Sequence, residues 1–183
     1  NLLILASKSE MVHLGSSESY LKDATVIMDT VKDQYKDQRN PGFFTSSNRA
    51  THPPPLRKKV WFDNSTPSGN SSLLRVFSML FAFTKDKKWH SEYLKAKSAY
   101  PNLAKKNREG IAYAITCILE EAMGIVTITI PKEKMADLGP ALSQKPHRPI
   151  IVKATSSKEC ELVVGKNNFR TKTVRDALDL LFS

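Results

Sequence analysis

Residues 62–84, FDNSTPSGNSSLLRVFSMLFAFT, place a run of small polar residues directly before a strongly apolar segment. The apolar residues recur at three- and four-residue spacing, which predicts a buried helix. Pro67 and Gly69 predict a turn, and an oxygen of Ser68, Asn70 or Ser71 can cap the helix that follows. One cap is sufficient, so the surplus of polar side chains leaves two interpretations open: a helix start alone, or the rim of a ligand site.

The remaining chain shows the same helical spacing in its first two thirds and then changes period. Helices are predicted over residues 16–38, 89–100, 102–121 and 174–182. Strands are predicted over 124–131, 148–155 and 160–165, where β-branched residues are frequent, with a short helix over 132–144. We therefore expect a mainly α protein, with helical hairpins over residues 1–122 and a small α/β unit over 124–183.

A proline-rich segment interrupts the helical part. Residues 52–59, HPPPLRKK, cannot lie inside a helix, because proline lacks the N–H that a helix requires and has a fixed φ. The segment is predicted to be a loop or a rigid extended arm. Residues 60–62, VWF, are predicted to form a short strand after it.

Composition narrows the classes of function. The chain has 183 residues and a formal net charge of +10, spread along its whole length. No aromatic-interleaved strand motif or zinc ligand set accompanies the basic residues, which argues against a nucleic-acid module and favours a solvated basic surface. No apolar run reaches the roughly 18 residues that a membrane span requires, so no membrane partner is expected.

The cysteines and the first residues add two expectations. Two cysteines cannot form a disulfide framework, and Cys117 falls in an apolar helical pattern, which indicates a buried free thiol and a cytoplasmic location. The chain opens on residues 2–5, LLIL, without an initiator methionine, and this pattern resembles the last turns of a buried helix. We therefore expect further residues upstream in a longer parent protein.

The sequence lacks residues that several kinds of binding site or active site require. A phosphate-binding P-loop needs Gly-Lys-Ser/Thr at the start of a helix, whereas Asn70 follows Gly69 here. The four histidines show no metal-ligand spacing, so we expect no metal and no cofactor. Glycoside chemistry needs two carboxylates facing one sugar. Asp63 is a weak candidate for one of them, and no second carboxylate stands out, so the residues leave open whether the chain is an enzyme.

Residues 57–84, RKKVWFDNSTPSGNSSLLRVFSMLFAFT, resemble the signature of the thioredoxin-domain-containing, spermatogenesis-associated protein 20-like family. The matching positions are Arg57, Lys59, Asp63, Pro67, Ser68, Gly69, Asn70 and Ser71. Weaker likeness extends over residues 16–46 and 126–181. The resemblance implies the C-terminal piece of a six-hairpin (α/α)6 toroid, similar to acylglucosamine epimerases and six-hairpin glycosidases, with the polar run at the rim of a carbohydrate-like cavity.

The resemblance also implies a set of ligand-binding residues and two alternative functions. The implied residues are Arg57, Lys59, Asp63, Ser68, Asn70 and Ser71, with a sugar or an anionic small molecule as the ligand. In a full-length parent the implied activity is that of a sugar-active, epimerase- or glycosidase-like enzyme. For the isolated piece, a non-catalytic scaffold or interaction domain is favoured, because no complete catalytic set is present. A partial toroid would leave apolar helix faces uncovered, so self-association is expected.

Overall fold

The computed structural model describes residues 17–142, 150–164 and 167–182. The chain divides into two compact units, which include Glu18–Ala122 and Met123–Ser183 respectively. Each unit has its own apolar core.

The first unit is built from helices and a long irregular segment. Its helices are α1 (Ser17–Tyr35), α2 (Gly69–Thr84), α3 (Lys87–Lys97), α4 (Tyr100–Lys106) and α5 (Ala112–Met123). Helices α2 and α3 form a hairpin: Lys85 ends α2 at a φ of 58°, and the Asp86 side chain caps α3 by accepting from Lys88 N. The largest fully buried side chains of this unit are Trp89, Tyr93, Phe77, Met28, Leu74 and Ile111.

A buried ion pair joins α1 and α3. Glu92 of α3 is 7% exposed, and its two carboxylate oxygens lie 2.6 and 2.7 Å from Lys36 Nζ. Lys32 Nζ lies 3.5 Å from the same carboxylate and above the Trp89 ring. A carboxylate removed from water needs such cationic partners, so these contacts fix the end of α1 against α3.

The single helix predicted over residues 102–121 is wrong. Helix α4 ends at Lys106, Asn107 takes an extended conformation, and a 3-10 turn (Glu109–Ile111) precedes α5. Asn107 Oδ1 accepts from Gly110 N at 2.9 Å, which stabilises the break. The break also allows close packing, because a Cβ at Gly110 would lie only 2.9 Å from Phe62 Cδ1.

The second unit contains a mixed four-stranded sheet. Its strands are β1 (Val126–Pro131), β2 (Ile150–Thr155), β3 (Cys160–Val164) and β4 (Asn167–Thr171), in the order β2-β1-β3-β4. β1 pairs parallel with β2, and its register sets Val126 opposite Ile150. β1 pairs antiparallel with β3, and β3 antiparallel with β4. The structure confirms the strands predicted before residue 166 and adds β4.

Helices close the apolar face of this sheet. A 3-10 helix (Lys132–Asp137) and α6 (Leu138–Leu142) follow β1, and α7 (Val174–Phe182) follows β4. Leu138, Ala177 and Leu178 are fully buried in one cluster with alternate residues of β1. The helix predicted over 174–182 is confirmed. Part of the helix predicted over 132–144 lies outside the described residues.

The prediction of a mainly α fold with a partial (α/α) toroid is wrong. The described residues combine helices with a mixed sheet, so the fold is mixed α/β. A toroid repeats antiparallel helix pairs, whereas residues 36–68 separate α1 from α2 without forming a helix. Apolar spacing indicates that a helix has a buried face, but it does not specify which neighbour covers that face. Among the helices in the described ranges, none is both long and apolar enough to cross a membrane.

Candidate functional site

The six residues predicted to bind a ligand lie around the irregular segment 36–68 and the start of α2. Asn70 is the most buried of the four members with an amide or a charge, at 4% exposure. Its Oδ1 accepts from Phe43 N at 2.8 Å, and its Nδ2 donates to Phe43 O at 3.0 Å and to Val60 O at 2.8 Å. The side chain thus joins two backbone segments to the first turn of α2.

Ser68 and Ser71 form the cap of α2. Ser68 has an extended conformation, and its Oγ accepts from Ser71 N at 3.1 Å, as an N-cap residue does. The same Oγ is hydrogen-bonded to the Trp61 carbonyl at 3.1 Å and to Ser71 Oγ at 2.9 Å. Both serines are buried. Their hydroxyls therefore take part in a small network beneath the helix start.

Asp63 connects two helix starts. Its Oδ1 accepts from Ser68 N at 2.8 Å, and its Oδ2 accepts from Tyr113 N at 3.0 Å in the first turn of α5. A carboxylate at the amino end of a helix is stabilised by the unpaired N–H groups and by the helix dipole. The Asp63 carboxylate therefore stabilises the start of α2 and the start of α5 at the same time.

Arg57 holds the end of the proline-rich segment against α1. Its guanidinium donates to Ser46 O at 2.7 Å and to Gln34 O at 2.9 Å. It also lies 4.2 Å from the centre of the Phe44 ring. A planar guanidinium is suited to combined stacking and hydrogen bonding of this kind.

Lys59 belongs to a separate, largely buried ion pair. Its Nζ lies 2.6 Å from Asp37 Oδ2 and donates to Pro41 O at 2.7 Å. The Lys59 ammonium holds the pKa of Asp37 well below its usual range, and the backbone N–H groups of Arg39 and Asn40 act in the same direction. The two side chains are 15% and 13% exposed.

Further buried hydroxyl and thiol groups lie in the apolar core of the first unit. Ser71 Oγ lies 3.5 Å from Tyr100 OH, and burial raises the pKa of that phenol above its usual range. Burial raises the pKa of the Cys117 thiol to about 12. Burial, and then the nearby Glu121 carboxylate, raise the pKa of Tyr93. These groups all stay protonated at neutral pH, so none is activated as a nucleophile or base.

The structure therefore brings Asp63, Ser68, Asn70 and Ser71 together and places Arg57 and Lys59 on other contacts. In each of the six residues, side-chain polar atoms contact protein atoms within the first unit. These bonds occupy Asp63, Ser68, Asn70 and Ser71 of the polar run, whereas the Ser72 hydroxyl is buried without a hydrogen-bond partner among the described residues. A ligand role for the six residues stays a prediction.

The segment directly before the cap has two different sides. Arg57, Lys59 and Asp63 point to internal partners, and Trp61 packs edge-on against Tyr100 with ring centres 5.6 Å apart. The alternate residues are exposed, and we call them the outer stripe: Leu56, Lys58, Val60 and Phe62. Leu56 is 70% exposed, Val60 44% and Phe62 37%.

Sequence reasoning missed the outer stripe, although a signal was present. The apolar residues Leu56, Val60 and Phe62 all have even numbers, but Lys58 and Trp61 interrupt the alternation of apolar and polar side chains. Such a partial pattern gives only a weak indication of an extended segment with two different sides. It does not reveal that the buried side is the one with the charged residues, because that depends on partners such as Gln34 and Asp37 far away in the chain.

The chain matches no model of a known protein family, and no curated protein matches it. In residues 17–142, 150–164 and 167–182, no group of three or more histidine, cysteine, aspartate or glutamate side chains is arranged to hold a metal ion. The family resemblance inferred from the sequence accordingly stays a prediction. The site is best described by its own geometry.

Proposed function

We propose that this chain is a protein-interaction domain, with the outer stripe as its contact surface. The observation that carries the proposal is the alternation in residues 56–63. The inward side chains are held by hydrogen bonds, an ion pair and ring contacts, whereas Leu56 and Val60 are exposed and Phe62, which packs against Gly110, is exposed over 37% of its surface. An apolar row on a backbone that is already ordered can bind a partner at little additional entropic cost.

The internal contacts of the polar residues support this function over sugar chemistry. Asp63 accepts from two helix-start N–H groups, and Asn70 bonds to the backbone at Phe43 and Val60. A sugar would have to displace these bonds or share their atoms. A partner protein on the outer stripe would leave all of them in place.

The chain's charge supports an acidic partner. The net charge is +10, and Lys58 lies between Leu56 and Val60 on the exposed side. Complementary charge speeds association and selects among partners, while buried apolar groups contribute most of the affinity. The proposed partner surface is therefore apolar at its centre and acidic around it.

The experiment places a photoreactive phenylalanine analogue at position 62 of the chain, in cells of its source. A matched chain carries the analogue at Lys105, an exposed residue of α4. We expect a discrete adduct with another protein at position 62 and none at position 105. Val60→Ser should weaken the adduct. Equal labelling at the two positions, or turnover of a sugar by the purified chain, would overturn the proposal.

A further inference from the structure

Residues 52–56, which we call the proline arm, form an exposed extension immediately before the outer stripe. His52, the three prolines that follow and Leu56 are all exposed. No cis peptide bond occurs in the described residues, so the three prolines are trans. Consecutive trans prolines fix φ near −65° and restrict the residue before each of them to extended conformations. Pro53 and Pro54, each followed by another proline, are therefore confined to polyproline II conformations, and the chain then bends at Pro55 and Leu56.

Both ends of the arm are held by the last turn of α1. Before the arm, Asn48 N donates to Gln34 O at 2.9 Å and Arg49 pairs with Asp33 at 2.6 Å. After the arm, Arg57 Nη2 donates to the same Gln34 O at 2.9 Å. The carbonyl oxygen of Gln34 thus accepts hydrogen bonds from residues on both sides of the arm. The closure presents the arm in a fixed position, away from the core.

The arm presents three consecutive exposed prolines, without PxxP spacing, and proline rings are the feature that polyproline-binding modules recognise. Such modules bind proline rings and a neighbouring apolar side chain in grooves lined by aromatic residues. Leu56 supplies the apolar side chain at 70% exposure, and exposed Lys58 supplies a positive charge two residues later. We infer that the proline arm is a docking peptide for a protein module with an aromatic-lined groove and an acidic rim. This inference rests on the proposed interaction function and names the class of its partner.

The experiment measures binding of the whole chain to a panel of purified SH3, WW and EVH1 domains by biolayer interferometry. We expect at least one domain with an acidic groove rim to bind. Replacement of the three arm prolines by alanine should weaken that binding by about tenfold or more, because the arm loses both its ring contacts and its preformed conformation. Pro101→Ala is the matched control, since Pro101 is exposed at the start of α4, and it should bind as the wild type does.

A second variant tests the closure. Arg57→Gln removes the bond to Gln34 O while keeping all three prolines, and it should bind more weakly than the wild type but more tightly than the triple alanine variant. Absence of binding to every domain, or binding unaffected by the loss of the prolines, would overturn the inference. A position-62 adduct in cells, together with no binding to the panel, would overturn the inference and leave the proposed function standing. Binding to a domain of the panel, together with no position-62 adduct in cells, would support the inference and contradict the outer stripe as the contact surface.

Discussion

The side-chain amide of Asn70 hydrogen-bonds both the N–H and the C=O of Phe43, as a neighbouring β-strand would. The two residues are 27 positions apart. The third bond of the amide, to Val60 O, extends the same join to the segment before the helix. Asn70 therefore satisfies backbone groups that the irregular segment 36–68 could not pair by itself.

Replacing Asn70 should destabilise the first unit strongly. Asn70→Ala leaves the N–H and the carbonyl of buried Phe43, and the part-buried carbonyl of Val60, without this partner, and we expect a loss of about 2–4 kcal/mol in the free energy of unfolding. Urea denaturation followed by circular dichroism measures the change. Asn102→Ala, at an exposed position of α4, is the control and should change stability by less than about 0.5 kcal/mol. Equal effects at the two positions would refute the structural role.

Gly42 and Gly69 should respond in opposite ways to alanine. Gly42 has a φ of 94°, and a Cβ there would lie 2.3 Å from the Trp61 ring. Gly42→Ala should therefore cost about 2–4 kcal/mol, through backbone strain and overpacking. Gly69 begins α2 with nothing within 4 Å of an added Cβ, so Gly69→Ala should be neutral or slightly stabilising. Thermal melts of the two variants compare them directly, and a reversed order would contradict the described geometry.

The Asp37–Lys59 pair should make stability depend on acid pH. Because Lys59 lowers the pKa of Asp37 in the folded state from an ordinary value of 3.8, the pair contributes its full stabilisation above about pH 4. That contribution is lost as the pH falls from there toward the folded pKa. Lys59→Gln should remove much of this loss, so its unfolding free energy should fall less steeply between pH 5 and about pH 2.

Lys58→Gln is the control for this titration, because it removes the same charge from an exposed neighbour. It should keep the acid dependence of the wild type. Urea denaturation at several pH values gives the curves. Identical slopes for the wild type and Lys59→Gln would show that the ion pair contributes nothing to acid sensitivity.

Removal of the Tyr93 hydroxyl should not weaken the protein. Tyr93 is fully buried, and its hydroxyl lies near the Glu121 carboxylate without a well-formed hydrogen bond. Tyr93→Phe should leave stability unchanged or raise it by up to about 1 kcal/mol. Tyr100→Phe loses the contact with Ser71 Oγ and should cost about 1 kcal/mol. A larger loss from Tyr93→Phe than from Tyr100→Phe, measured by urea denaturation, would be evidence for a hydrogen bond at Tyr93.

Alkaline pH should destabilise the first unit in part through Cys117. Its thiol has a pKa of about 12 when folded and an ordinary value of 9.0, so the contribution is complete below about pH 9 and is lost as the pH rises toward 12. Cys117→Ala should therefore lose less stability between pH 8 and about pH 11 than the wild type loses. The tyrosines titrate in both proteins, so the difference between the two curves reports the thiol together with its electrostatic effect on Tyr93 and Tyr100. Parallel curves would contradict a buried titrating thiol.

The sequence predicted individual elements better than their assembly. β-Branched alternation located β1, and apolar spacing located α2 and α7, because both signals are local. β4 was missed, since Asn167–Thr171 is polar and exposed and becomes a strand only through pairing with β3. The fold class was wrong because amphipathic spacing does not specify how helices are arranged around one another.

The candidate site, like the fold, could be predicted from the sequence only in part. The helix start after the polar run was predicted with Ser68, Asn70 or Ser71 as the cap, and the structure shows that the cap is Ser68. The partners of Asn70 and Arg57 could not be inferred, because Phe43 and Gln34 lie 27 and 23 residues away. Asn70 and Arg57 therefore looked available to a ligand, although the fold uses them between distant backbone segments.

The shared bond to Gln34 O has a practical consequence for altering the chain. Asn48 and Arg57 meet at one acceptor, so the residues between them leave and re-enter the fold at nearly the same point. The entropic cost of lengthening such a closed loop grows only slowly with its length. Residues 52–56 are consequently the natural place in the first unit to graft an epitope, a fluorescent reporter or a protease site.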